Sequence, residues 1–383
     1  SGINRVQYKG LGVVPGDVDN DGDMDIYVAN DKEMNLLFIN NGRGRFVEKA
    51  LAMGVGYNGD GLAEAGMGVD FGDFNRDGWL DIFVTHFTGE TNTLYENQGL
   101  GYFTDASMET GLGKPSIPFL AFGTKFIDLN LDGWLDIFVA NGHVIDNINL
   151  INKKYQHAQH NQVYMNKKNS TFEDKTYDIG GDLTQKAVSR GSAFGDIDND
   201  GDIDYIVSNN NQSASLMYNV GDPSNNWIGI DLEGVDCNRD AIGTKLTLIS
   251  KSGTQIAWIN PASSYLTSND KRIVFGIEKD NKIISLEISW FGSNTQTLLN
   301  MEPNCYYKII QNEVPKKIEY KFKNISLLEK SLTHPSFFTD INSYENIVEY
   351  THNQIRYHEN PAKPHLGDAS RRPDGLSSVF IGI

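Results

Sequence analysis

The stretch GDVDNDGDMDIYVAN at residues 16–30 decides the fold, because the chain repeats it three times: GDFNRDGWLDIFVTH at 72–86, IDLNLDGWLDIFVAN at 127–141 and GDIDNDGDIDYIVSN at 195–209. The leading Asp falls at 17, 73, 128 and 196, steps of 56, 55 and 68 residues, about the length of a four-stranded unit. An apolar or alternating stretch precedes each loop, and a β-branched and aromatic run follows it, so each loop joins two strands. Further on, NLLFINNGRGRFVEKA, NTLYENQGLGYFTDAS and NQVYMNKKNSTFEDKT each read as a strand, a Gly or Asn turn and a second strand. Two inner and two outer strands make one antiparallel blade, and blades repeated about an axis make a β-propeller. The expected fold class is all-β.

Each loop has the spacing D-x-[DN]-x-D-G-x-x-D, with oxygen-bearing side chains at positions 1, 3, 5 and 9 around a glycine at position 6. Ca²⁺ takes six to eight oxygens, and a tight glycine turn can aim alternate side chains and the position-7 carbonyl at one point. The candidate ligands are Asp17, Asp19, Asp21 and Asp25; Asp73, Asn75, Asp77 and Asp81; Asp128, Asn130, Asp132 and Asp136; and Asp196, Asp198, Asp200 and Asp204. The carbonyls of Asp23, Trp79, Trp134 and Asp202 complete the sets. An EF-hand needs a Glu at position 12 and flanking helices, whereas position 12 here is Val28, Val84, Val139 or Val207, inside an expected strand. Fourteen of the sixteen side chains are carboxylates, whose mutual repulsion opposes folding unless a cation neutralises it. Four Ca²⁺ ions would bring the formal charge from -17 to -9. Solvated acidic turns without metal are the blander reading, but generic turns need not keep one register four times.

The rest of the composition narrows the function. With 50 acidic against 33 basic residues, the chain repels the phosphate backbone that a nucleic-acid binder must attract. No apolar run approaches the roughly 20 residues of a membrane span. Cys237 and Cys305 are too few for a disulfide framework; they either pair with each other or remain buried thiols. The chain opens on Ser1 rather than Met, as expected of a processed product or a segment of something longer.

The four phrases resemble FG-GAP and VCBS repeats, the calcium-loop blades also found in integrin α-subunit propellers. Beyond them, NNWIGIDLEG, CNRDAIGTKLTLIS, SSYLTSNDKRIVFGI and LEISWFGSNTQTLLNM look like an ASPIC/UnbV domain, as in the cartilage acidic protein-like family. The resemblance implies calcium-loop blades over 1–224 and an ASPIC/UnbV-like domain over 225–313, which short alternating runs and Gly, Asn and Ser turns make a small antiparallel β domain. Residues 314–383 read as an extended tail, similar to the lead-in to a second propeller. Family members usually carry further blades before the first loop seen here.

The residues identify no catalytic set. Glycine-flanked serine elbows, Walker loops and dinucleotide motifs are missing from the sequence, and the carboxylates with shared spacing are assigned to calcium. His157 and His160 could share a metal, but a hydrophilic insertion, INKKYQHAQHNQ, explains them as well. His143, in ANGHV at 140–144, could line the central mouth and touch a ligand. Asn238-Arg239-Asp240 and Ser263-Ser264-Tyr265 are the most polar marks of the second domain and read as turn and strand-pairing residues. The expectation is a secreted or cell-surface module, periplasmic or outer-membrane-associated in a bacterium, that binds about four Ca²⁺ and a protein or carbohydrate ligand. The alternatives are a subunit of a larger envelope or surface complex, and an enzyme with its pocket in the propeller mouth or the domain seam.

Overall fold

The structure, a computed structural model, describes residues 2, 3 and 7–318. From residue 319 onward the expected tail therefore lies outside the described residues. The first strands are β1 (Gly10–Gly16), β2 (Asp25–Asn30), β3 (Leu36–Asn40) and β4 (Phe46–Glu48), followed by β5 (Val69–Gly72), β6 (Asp81–Val84), β7 (Thr93–Asn97) and β8 (Phe103–Asp105). Next come β9 (Ala121–Ile127), β10 (Asp136–Asn141), β11 (Gln162–Asn166) and β12 (Phe172–Asp174), then β13 (Ser189–Gly195), β14 (Asp204–Asn209) and β15 (Ser215–Met217). Each group forms one antiparallel sheet in sequence order, the fourth with three strands instead of four. The acidic loop joins the first two strands of every sheet and closes on the same rung: Gly16 opposite Asp25, Gly72 opposite Asp81, Ile127 opposite Asp136 and Gly195 opposite Asp204.

The sheets are stacked face to face, which explains why DIFV in β6 is buried on both faces rather than alternating. Val14, Tyr27 and Leu37 of the first sheet share a core with Val69, Ile82 and Tyr95 of the second. Phe74, Phe83 and Leu94 pack on Phe126, Ile137 and Tyr164 of the third, and Phe138 and Val163 on Phe194, Tyr205 and Val207 of the fourth. Neighbouring first strands approach so closely that only glycine fits. A Cβ at Gly12 would lie 2.2 Å from the Met67 carbonyl oxygen, at Gly68 1.9 Å from that of Phe122, and at Gly123 2.8 Å from that of Arg190.

The second part has eight strands: β16 (Trp227–Glu233), β17 (Lys245–Ser250), β18 (Gly253–Trp258), β19 (Ile273–Gly276), β20 (Ile283–Ser289), β21 (Thr295–Leu299), β22 (Tyr306–Ile310) and β23 (Lys316–Ile318). They form two sheets, ordered β19-β16-β22-β23 and β18-β17-β20-β21. Ile228, Ile230 and Leu232 from one sheet meet Leu246, Leu248, Leu286 and Ile288 from the other in a closed core. One pairing departs from the antiparallel expectation. β16 and β22 run parallel, because the chain visits the other sheet between them and returns in the same direction. Cys237 and Cys305 are free, half-buried thiols in the structure.

The link between β18 and β19 is the least ordinary part of the fold. Asn260 donates its amide to the Pro15 carbonyl of β1 (2.8 Å). Ser264 exchanges backbone hydrogen bonds with Val69 of β5 (3.2 and 2.8 Å), and its hydroxyl accepts from the Thr124 N–H of β9 (3.0 Å). Thr267 donates to the Ser192 carbonyl of β13 (3.1 Å), and Asp270 N–H to that of Phe194 (2.9 Å). Residues 260–270 thus tie to the first strand of all four sheets. They also occupy the place of a further first strand, since a Cβ at Gly191 of β13 would meet the Tyr265 carbonyl at 2.8 Å, repeating the glycine contacts above. The polar mark Ser263-Ser264-Tyr265 therefore serves strand pairing, as expected of it, through the bridge between Ser264 and Val69. Asn238-Arg239-Asp240 is a turn, with the Asn238 amide bonded to both backbone groups of Ile242 at 2.8 Å.

Candidate metal centre

All four loops are built alike. The position-1 carboxylate accepts the N–H groups of positions 5 and 6: Asp17 from Asp21 and Gly22 (3.0 and 3.1 Å), Asp73 from Asp77 and Gly78 (3.0 and 3.1 Å), Asp128 from Asp132 and Gly133 (3.0 and 2.7 Å), and Asp196 from Asp200 and Gly201 (3.1 and 2.7 Å). The position-4 residues Asn20, Arg76, Leu131 and Asn199 sit in the left-handed region, at φ between 56° and 62°, to make that turn.

The position-9 carboxylate is clamped from both sides. Asp25 accepts from Val18 and Asn40, Asp81 from Phe74 and Asn97, Asp136 from Leu129 and Asn166, and Asp204 from Ile197 and Asn219, all between 2.8 and 3.2 Å. Three of these asparagines also lock one sheet to the next, while Asn40 donates its amide to the Met24 carbonyl of its own loop. Asn97 donates its amide to the Val18 carbonyl (2.9 Å), Asn166 to that of Phe74 (2.9 Å) and Asn219 to that of Leu129 (2.7 Å), each in the preceding loop.

These clamps fix carboxylates without neutralising them. In the first loop the carboxylate oxygens of Asp17, Asp19 and Asp21 lie within 4.8 Å of one another, as do those of Asp196, Asp198 and Asp204 in the fourth. Asp25 and Asp200 are not in those sets; backbone N–H groups hold the first, and Asp200 accepts the Asp202 N–H at 3.0 Å. Position 3 gives the sharpest sign of a missing partner: one oxygen each of Asp19 and Asp198 is buried and accepts no hydrogen bond. Burial pushes Asp25, Asp73, Asp128 and Asp204 up to about 7, and burial with neighbouring carboxylates pushes Asp198 and Asp202 up to about 6. Asp17, Asp19, Asp81, Asp136 and Asp196 move the same way, chiefly through burial. Oxygen-only donors that repel one another, buried and fixed at positions 1 and 9, fit a hard divalent cation.

The loops differ in charge. Asn75 and Asn130 replace a carboxylate in the second and third, and each donates its amide to the position-5 carboxylate (3.1 Å). Lys168 lies 3.4 Å from Asp132 in the third loop. The fourth is closed by the second part of the chain. The Tyr306 hydroxyl donates to Asp196 (2.7 Å), and Arg272 donates to the Asp196 carbonyl (2.7 Å) and to the Asn199 side chain. Arg272 is also paired with Asp270 at 2.6 Å. The other position-4 residues meet the same part: Lys245 donates to Asn20 (2.8 Å), Arg76 to the Ser252 carbonyl (3.2 Å), and Glu278 N–H to the Leu131 carbonyl (3.1 Å). Lys168, Arg272 and Tyr306 lie outside the repeat and give no motif signal.

The histidines separate. The His160 ring packs between Phe119 and Tyr177, at 4.8 and 5.0 Å, and both carboxylate sets lack histidine. His143 is 1% exposed and its Nδ1 accepts the Ile145 N–H (3.0 Å). A cavity of about 170 Å³ lies at the seam, lined by two ion pairs, Lys125 with Asp70 at 3.0 Å and Arg272 with Asp270, and by Asp73, Asp128 and Arg76, whose Nη2 is buried without a hydrogen-bond partner.

Comparison with known proteins agrees with this architecture. The model for the FG-GAP-like repeat matches residues 17–84, 73–139 and 128–207, and that for ASPIC and UnbV matches residues 234–316. The chain belongs to the family that joins FG-GAP-like repeats to an ASPIC/UnbV domain. It is 28% identical over 300 residues to cartilage acidic protein 1 of Xenopus tropicalis, covering 76% of this chain and 42% of that protein. To the Homo sapiens protein it is 28% identical over 290 residues, covering 73% and 40%. The chain thus spans less than half the length of these relatives. Among solved structures, an Agrocybe aegerita lectin recognising non-reducing terminal N-acetylglucosamine matches with a TM-score of 0.28 at 15% identity, covering 76% of this chain and 81% of that one. That score is too low to equate the two folds. No helix among the described residues is long and apolar enough to cross a membrane.

Proposed function

We propose that the chain is an extracellular binding module, a β-propeller segment whose blades are held by calcium in the four acidic loops and capped by the β domain. The observation that carries this reading is one loop geometry met four times, with carboxylates at positions 1 and 9 fixed by N–H donors, and in the first and fourth loops three carboxylates brought together with the Asp19 and Asp198 oxygens buried and without partners. Asp17, Asp19, Asp21 and Asp25, and their counterparts in the other loops, would hold the ions, with the carbonyls of Asp23, Trp79, Trp134 and Asp202. The ion supplies positive charge that lets buried carboxylates stay ionised. Because Asn97, Asn166 and Asn219, which clamp position 9 in the last three loops, also tie adjacent sheets, an occupied loop stiffens the seam between blades. Extracellular modules bind Ca²⁺ with Kd of about 10⁻⁴–10⁻³ M, which fits a protein filled outside cells.

Calorimetric titration of the chelated protein with Ca²⁺, and melting with and without chelator, test the reading. Each site at tenfold excess of ion contributes about 1.4 kcal/mol, so removal of all ions should lower the Tm markedly. An unchanged melt and no heat of binding would remove calcium from the account.

A further inference from the structure

We propose that the blade ends opposite the acidic loops hold a site for a small organic monocarboxylate, centred on Arg190 and His143. This names a ligand class for the binding module proposed above and rests on that reading only for its biological use. Arg190, half-buried in β13, is the anchor. Its Nη1 donates to the carbonyls of Gly142 (2.9 Å) and Ser189 (2.7 Å), and its guanidinium carbon lies 4.3 Å from the centre of the Phe122 ring. Those contacts fix the plane of the group and leave the Nε–Nη2 edge without a hydrogen-bond partner among the described residues. That edge is the one that meets a carboxylate with two parallel bonds. No described carboxylate pairs with Arg190, in a chain with 50 acidic residues. Burial pushes the guanidinium below its ordinary value, and only the Tyr265 phenol opposes that.

A second, independent donor lacks its acceptor beside it. His143 directly follows Gly142, and its Nδ1 accepts the Ile145 N–H, so the neutral ring carries its proton on Nε2. That Nε2 is buried and donates to nothing described, on a side chain 1% exposed. The His143 backbone N–H bonds to the His157 carbonyl (2.9 Å), and His157 Nδ1 is also buried without a partner. Phe87 packs on His143 at 5.4 Å and Tyr265 on Phe122 at 4.9 Å, giving apolar walls. One cation with neutral donors balances a single negative charge. A dianion such as sulfate would leave a charge uncompensated in a half-buried place of an already acidic molecule.

The test is titration of the calcium-loaded full chain with glucuronate and with benzoate, followed by ligand-observed NMR and calorimetry. Glucose, benzyl alcohol and sulfate are the controls. Saturable binding of either carboxylate, with the controls weaker by about tenfold or more, supports the site. Arg190→Met should weaken that binding by about tenfold to a hundredfold, Arg190→Lys by less, and His143→Leu by about tenfold, each with an unchanged calcium titration. Absence of saturable binding by the folded wild type, equal binding of sulfate, or wild-type binding by Arg190→Met overturns the proposal. If chelation leaves the melt unchanged while Arg190-dependent carboxylate binding persists, the calcium reading has failed and the anion site stands.

Discussion

Arg272→Met is the sharpest probe of how the two parts are joined. Arg272 bonds to the Asp196 carbonyl and the Asn199 side chain of the fourth loop, pairs with Asp270 at 2.6 Å, and lies 4.8 Å from the centre of the Tyr306 ring. The two partners are 22% and 5% exposed, so the pair is buried rather than a surface pair worth almost nothing. Methionine keeps most of the packing but leaves the Asp270 carboxylate buried without its cation, which costs about 3–5 kcal/mol. Adding Asp270→Asn should recover about half of the loss, because the stranded charge and not the lost contact dominates. Urea unfolding followed by the fluorescence of Trp227 and Trp258, in calcium, measures both variants. A loss below about 1 kcal/mol for the single variant, or no recovery in the double, would refute the view that this pair locks the β domain onto the fourth loop.

Other expectations follow from single contacts. Asn97→Ala should destabilise by about 1–3 kcal/mol, because Asn97 serves both the Val18 and the Leu80 carbonyls while buried; Asn40→Ala, which loses one carbonyl, that of Met24, and the Gly42 N–H at a half-buried site, should lose less in the same urea assay. Gly201→Ala should cost more than Gly22→Ala by about 1–3 kcal/mol. Both glycines have φ above 90°, but the new Cβ meets Trp227 at 2.1 Å in the first case and nothing within 4 Å in the second, a difference that thermal melting reads directly. Asn75→Asp should tighten calcium binding at the second loop by about tenfold in calorimetry and weaken the chelated protein, since the new carboxylate faces Asp77 and Glu96.

The repeat was legible because its chemistry is local: carboxylates at positions 1 and 9 and glycine at 6 lie within nine residues, and one phrase written four times also reveals the strands on either side. What could not be read is what crosses between sheets. Asn97 and Asn166 stand in the outer-hairpin runs as ordinary turn residues, yet they reach carbonyls 79 and 92 positions away. Ser263-Ser264-Tyr265 has a turn-like composition, and only assembly shows it bonded to successive first strands. Arg190 carries no motif; its meaning comes from the acid that it lacks.

The central segment also sets an order of events in synthesis. Asn260 and Pro15 are 245 residues apart, so the tie to β1 forms only after all four sheets of the first part have been made. Until then, the four sheets, built from short-range pairings, must persist with the β13 edge uncovered and available to other strands. The slow phase of refolding should therefore be insertion of residues 260–270, and the period before it is when the molecule is most exposed to aggregation.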